Sequence, residues 1–232
     1  RVLYFDGDKV KNVRAGNEEV AVNNCCTNLY TSTPIINNEM VNRASISTAQ
    51  TRKARLNVIE AILNGEDTEV FYSGTNQEAT IYRAIFVRTG ITKGCPDKNI
   101  AEVMALMNQF VDGCSDRRVV FRDIIARLTG APYGMRLGVI PLYLAKVLSD
   151  RGEDLVAYFS SMEVSITPEM IVNMCEKPDE YSLFVSNFSN IILISFQYAK
   201  SFCKFCQLYY NIKKYEYQDF CKKSCILILF YV

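Results

Sequence analysis

Near Val185 the chain changes character, and that break limits how much of it can fold as one body. Before it, Gly, Pro, Arg, Thr and Met are spread throughout, as in an ordinary globular domain. After it those five types vanish, and Phe, Tyr, Ile, Asn and Lys supply more than half of the residues. Those amino acids have adenine/thymine-rich codons. Residues 186–232 therefore read as a compositionally aberrant tail, the product of a frameshift or truncation, and 1–185 as the body to be explained.

A start at Arg1 rather than Met fits a segment of something longer. With 49% hydrophobic and 22% charged residues among 232, the chain can bury a substantial core. The net charge of +1 joins a mildly acidic body to a basic tail, too little to imply nucleic acid by charge alone. No run reaches the roughly 18 apolar residues of a membrane span, so a cytoplasmic protein with no membrane partner is expected. Histidine is absent, which removes Ser–His–Asp and Cys–His pairs and histidine-ligated zinc hydrolases. Neither G-x-x-x-x-G-K-[ST] nor G-x-G-x-x-G occurs. The body is expected to be non-catalytic and to need no cofactor.

Capping and periodicity organise the rest. Asp6-Gly7 between apolar runs predicts a β-hairpin over 2–13. Asn17 caps a helix to Leu29, and 34–43 is expected to be helical. Ser47 with Gln50 and Thr75 with Glu78 form capping boxes, and the helices they open stop at Gly65 and Gly90. A further helix follows Pro96-Asp97 and ends at Gly113. Ser115 is expected to open a helix carrying Val120, Phe121, Ile124, Ile125 and Leu128 inward. Another helix spans 137–149, strands cover 155–159, 163–166 and 181–185, and Thr167-Pro168 starts a last helix. The expected class is mainly α, in the α+β sense. An N-terminal hairpin (1–16) precedes a helical domain (17–114), a winged-helix-like module (115–185) and the tail (186–232).

Few constellations carry chemistry. Cys203-x-x-Cys206 and Cys221-x-x-x-Cys225 approximate a four-thiolate zinc site, but the second pair is one residue too long and neither pair is followed by Gly. Arg52, Lys53 and Arg55 are candidate phosphate contacts, as are Arg117, Arg118 and Arg122. Arg136 joins the latter set as a candidate nucleic-acid-binding surface. Arg43 is a candidate contact to phosphate or a neighbouring subunit, against the plainer alternative of an ion pair with Glu39 four residues away. The string Gly130-Ala-Pro-Tyr-Gly-Met-Arg-Leu-Gly138 reads as a specific interhelical turn.

Two stretches carry a wider likeness: Tyr30-Thr-Ser-Thr-Pro-Ile-Ile-Asn-Asn-Glu-Met-Val-Asn-Arg43, and Ala131-Pro-Tyr-Gly-Met-Arg-Leu-Gly-Val-Ile-Pro141 followed by Leu155-Val-Ala-Tyr158 and Ile166-Thr-Pro-Glu169. With Gln77-Glu78, Tyr82-Arg83 and Thr89-Gly90 between them, residues 3–185 resemble large bacterial P-loop ATPases of phage-defence islands, of the BREX kind. The resemblance implies an internal or C-terminal portion of such an ATPase that lacks its phosphate loop. It would act as a scaffold binding DNA, other proteins or the remainder of the ATPase. The rivals are a stand-alone winged-helix DNA-binding regulator and a cryptic enzyme using carboxylates such as Glu39 and Glu78.

Overall fold

The structure, a computed structural model, describes residues 1–186 apart from Asp67 and Asp116. Cys203, Cys206, Cys221 and Cys225 lie outside the described residues. Strands β1 (Val2–Asp6) and β2 (Lys9–Val13) pair antiparallel through a Gly7-Asp8 turn, where Gly7 at φ 59° supplies the left-handed residue that a two-residue hairpin needs. Helix α1 (Glu18–Leu29) lies against this hairpin and buries Ala21 alone.

The helix expected over 34–43 does not form. Asn38 Oδ1 instead accepts the main-chain N–H groups of Met40 (3.0 Å) and Val41 (3.3 Å), and Asn42 Nδ2 donates to the Ile36 carbonyl (3.1 Å). Side chains that satisfy nearby backbone in this way compete with helical hydrogen bonds, and here they win.

Thr48 caps α2 (Ala49–Leu63), which turns Ala54, Val58, Ile59 and Ile62 inward. After the single turn α3 (Val70–Ser73), Asn76 Oδ1 caps α4 (Gln77–Tyr82) by accepting from Ala79 N–H at 2.9 Å. Both caps stand one residue beyond the Ser47 and Thr75 read from sequence, since the next residue in each case is an equally good acceptor. From Arg83 to Val87 the helix widens into a π turn, which often leaves a carbonyl free for another donor. The Ile85 carbonyl takes the Thr89 hydroxyl and the hydroxyl of fully buried Tyr143, the latter at 3.3 Å.

Helix α5 (Lys98–Asp112) is strongly amphipathic, with Ile100, Val103, Met107 and Val111 buried. The residues expected to begin a helix at Ser115 instead form β3 (Val119–Val120), and α6 (Arg122–Thr129) starts after it. Pairing of Val119 with Leu183 and of Val120 with Ser182 overrides the helical reading of two β-branched residues. Then come α7 (Ile140–Arg151), β4 (Leu155–Phe159), β5 (Met162–Val164), α8 (Pro168–Glu176) and β6 (Tyr181–Val185). Strand β5 ends at Val164, short of the 166 expected. Thr167 Oγ1 accepts from Met170 N–H and Pro168 takes the first position of α8, as its sequence indicates.

The second sheet is antiparallel throughout, in the order β3-β6-β4-β5. Its inner face, with Ala157 and Leu183, joins one apolar cluster that runs from Ile36 through α2, α4, α5, α6, α7 and α8. Helix α7 is central to it, packing on α2, α5 and α8 and burying eight of its twelve residues. The described body is α+β. Among the described residues, no helix is long and apolar enough to cross a membrane.

Candidate functional site

Gly138 joins three segments that are distant in sequence. Its N–H donates to the Arg43 carbonyl (2.9 Å), and its own carbonyl accepts from Arg55 Nη1 (3.4 Å). A Cβ at this position would stand 2.2 Å from the Val41 carbonyl oxygen, so the close approach of the two backbones requires glycine. The preceding turn is held by Ser32 N–H donating to the Pro132 carbonyl (3.1 Å) and by the Tyr30 ring packed against Gly134. A cavity of about 470 Å³ opens there, lined in part by Tyr30, Thr33, Ala44, Thr129 and Arg136.

The arginines at this junction are anchored on carbonyl oxygens. Arg43 Nε donates to the Glu39 main-chain carbonyl, so the side-chain ion pair with Glu39 is replaced by a neutral acceptor. Arg52 Nη1 donates to the carbonyls of Ile46 and Ser47, each at 2.9 Å. Arg55 is 5% exposed, and its Nε has no partner among the described residues. The nearest carboxylate oxygen, Glu176 Oε1, is 4.0 Å away on a side chain that is 57% exposed. Burial pulls the Arg55 guanidinium below the ordinary arginine value, Glu176 acts against that shift, and the Arg52 charge adds to it. No acidic residue stands in the first turn of α2.

The remaining sequence candidates lie elsewhere. Arg117 is exposed just before β3. The Arg118 guanidinium lies 3.4 Å from the centre of the Tyr158 ring on β4, a cation–π contact. Arg122, opening α6, pairs with Asp179 between α8 and β6, and that carboxylate raises its pKa. None of these three lines the cavity onto which Arg136 opens. Arg136 lines this cavity with Ala44, the residue after Arg43, and stands two residues before Gly138, whose carbonyl accepts from Arg55. Sequence reading missed the pivot at Gly138, whose only signal was its place in an unusual turn string. It also missed Tyr158, which lies far from Arg118 along the chain.

Of the two carboxylates weighed for catalysis, Glu78 accepts from Asn57 Nδ2 (3.0 Å), while Glu39 is exposed on the turn after Asn38. Among the described residues, no three Cys, Asp or Glu side chains gather as a metal site would require. Comparison of the chain with family models, with curated proteins and with solved structures returns no match.

Proposed function

We propose that this chain is a non-catalytic scaffold within a larger ATP-dependent protein of the phage-defence kind, and that its C-terminal part is a winged-helix-like module adapted for packing. The order β3, α6, α7, β4, β6 within 115–185, with strands arranged β3-β6-β4, supports the module, with α5 just ahead of it in the place of a first helix; β5 and α8 are then an elaborated wing. In that arrangement α7 stands where a DNA-reading helix would. A recognition helix presents the side chains of its N-terminal half to base edges. Here Ile140, Pro141, Leu142, Tyr143, Leu144 and Ala145 are all buried.

That burial carries the reading. Any contact with DNA or protein falls to other surfaces, and base-specific recognition by this helix is lost. The rival of a stand-alone regulator makes the opposite demand. Fluorescence anisotropy with duplexes of unrelated sequence separates the two: the scaffold binds them alike. Sequence-selective binding that disappears in Lys146→Ala, one of the few side chains α7 leaves outside the core, sinks the proposal. ATP turnover by the isolated chain, abolished by a single carboxylate substitution, sinks it as well.

A further inference from the structure

From Met40 to Ile59 the chain carries Arg43, Arg52, Lys53 and Arg55 and no acidic residue. The Arg43 carbonyl and the Arg55 guanidinium both bond to Gly138, and Arg52 is held by the Ile46 and Ser47 carbonyls on the intervening loop. Arg136, two residues before Gly138, lines a cavity with Ala44. Arg43, Arg52, Lys53 and Arg136 are exposed, whereas Arg55 is buried. Exposed Ser45 and Ser47 supply hydroxyls along the same loop, while the Thr48 hydroxyl is taken up in capping α2.

Like Arg83, which donates to the carbonyls of Phe71, Tyr72 and Gly74, the exposed arginines here have no carboxylate within reach among the described residues. Elsewhere Lys98, Arg122, Lys146, Arg151 and Lys177 each have a carboxylate within 4.0 Å. Among the described residues Arg43, Arg52 and Arg136 have none, and the partners found for Arg43 and Arg52 are neutral carbonyls. A carbonyl orients a guanidinium without cancelling its charge. Arg55 is the sharper case: a buried cation with an unpartnered Nε and one carboxylate at the limit of contact. Buried charges of this kind need an opposing ion. The junction therefore holds two oriented cations, Arg43 and Arg52, that lack one, above a buried arginine that is incompletely satisfied. The opposing groups are Glu39, beside Arg43, and Glu176, and they leave the surface net positive.

We infer that the Gly138 junction is a polyanion site that receives the phosphodiester backbone of nucleic acid, with Arg43 and Arg136 contacting phosphates and Arg52 and Arg55 setting the local potential. A run of phosphates suits cations supplied by separate segments better than one isolated phosphate does. No aromatic side chain needs to reach a base, so recognition is by backbone and independent of sequence. The inference rests on the scaffold reading only in treating the chain as a contact surface.

The test is a titration of the full chain against a labelled duplex of mixed sequence over a range of salt concentrations. The logarithm of affinity should fall linearly with the logarithm of salt. Arg43→Gln and Arg136→Gln should each make the slope shallower by about 1, and the double variant by about 2. Both side chains are exposed, so the variants keep the fold, which circular dichroism melting checks. Arg118→Gln should leave the slope unchanged. Absence of salt-dependent binding overturns the inference, as does a slope that the double variant does not alter. A phosphopeptide that outcompetes the duplex at equal salt also overturns it. Those outcomes leave the scaffold reading standing, because its own failures are ATP turnover and sequence selectivity.

Discussion

The arginines around Gly138 and those near the four-stranded sheet differ in what holds them. Arg122 is matched by the Asp179 carboxylate, and Arg118 lies on the neutral Tyr158 ring. Arg43 and Arg52 are held by carbonyl oxygens, and Arg55 has one long contact to a carbonyl and an exposed carboxylate at 4.0 Å. Arg122 is neutralised where it stands, and Arg118 is held on a ring away from the junction. The Gly138 group is oriented but left charged. Basic residues equally conspicuous in sequence therefore have unequal capacity to attract an anion, and the partner, not the residue type, decides which.

The junction depends first on backbone proximity, so the largest effect belongs to its pivot. Gly138→Ala places a methyl group 2.2 Å from the Val41 carbonyl oxygen, where backbone rather than a flexible side chain must yield. A loss of about 3 kcal/mol or more is expected in urea unfolding, within the range of severe single substitutions. A loss below 1 kcal/mol would mean that the 41–43 segment can retreat and that the cations are not fixed by Gly138. Next in size is Asn38→Ala. Asn38 is 6% exposed and holds the amides of Met40 and Val41, and so sets the path that leads to Arg43. Stranding those groups should cost about 1–3 kcal/mol. Affinity for a polyanion should fall in parallel, while Arg118 and Arg122 keep their contacts.

Much of this division could not be read along the chain, and the reasons are physical. Strong local signals transferred well: Thr167-Pro168 opens α8, and residues 155–159 and 181–185 are the strands expected there. Signals shared by neighbours slipped by one residue, as where Thr48 and Asn76 displaced Ser47 and Thr75. Signals set by distant pairing failed. Val119 and Val120 are strand because Leu183 and Ser182 lie opposite, and nothing near residue 119 reports that. The site suffers in the same way. Arg43, Arg55 and Arg136 were each visible as cations, but the link of the first two to the turn that carries Arg136 runs through one glycine that bonds to segments on both sides. Arg136 was grouped with Arg117, Arg118 and Arg122, none of which lines the cavity that Arg136 lines.

The contrast sharpens at Arg55, where stability and binding should part company. Arg55→Met keeps most of the side-chain volume and removes a guanidinium whose solvation is poorly replaced. Exchanging an ill-satisfied buried charge for an apolar group is often neutral or stabilising. The partner left behind, Glu176, is more than half exposed and returns to water. A change within about 1 kcal/mol of zero is therefore expected, with weaker polyanion binding. A drop beyond 3 kcal/mol would show that the bond to the Gly138 carbonyl outweighs desolvation, and would recast Arg55 as a structural clamp. Arg118→Ala should then cost about 0.5–1 kcal/mol, the value of an exposed cation–π contact, with no change in salt slope.

The smallest effect tests the neutralised group most directly. Arg122 and Asp179 pair on the surface with both side chains more than half exposed, so water and salt screen most of their attraction. Arg122→Ala should leave the thermal midpoint where it is and leave polyanion affinity unchanged, because the lost positive charge was already matched. Asp179→Asn is the informative partner. Removing the carboxylate frees Arg122 without altering the arginine, which gives the sheet side the uncompensated character of the Gly138 junction. If counter-charge is what separates the two regions, Asp179→Asn should make the salt slope steeper by up to about 1. An unchanged slope would mean that the geometry of the junction, rather than its missing carboxylates, is what draws the anion.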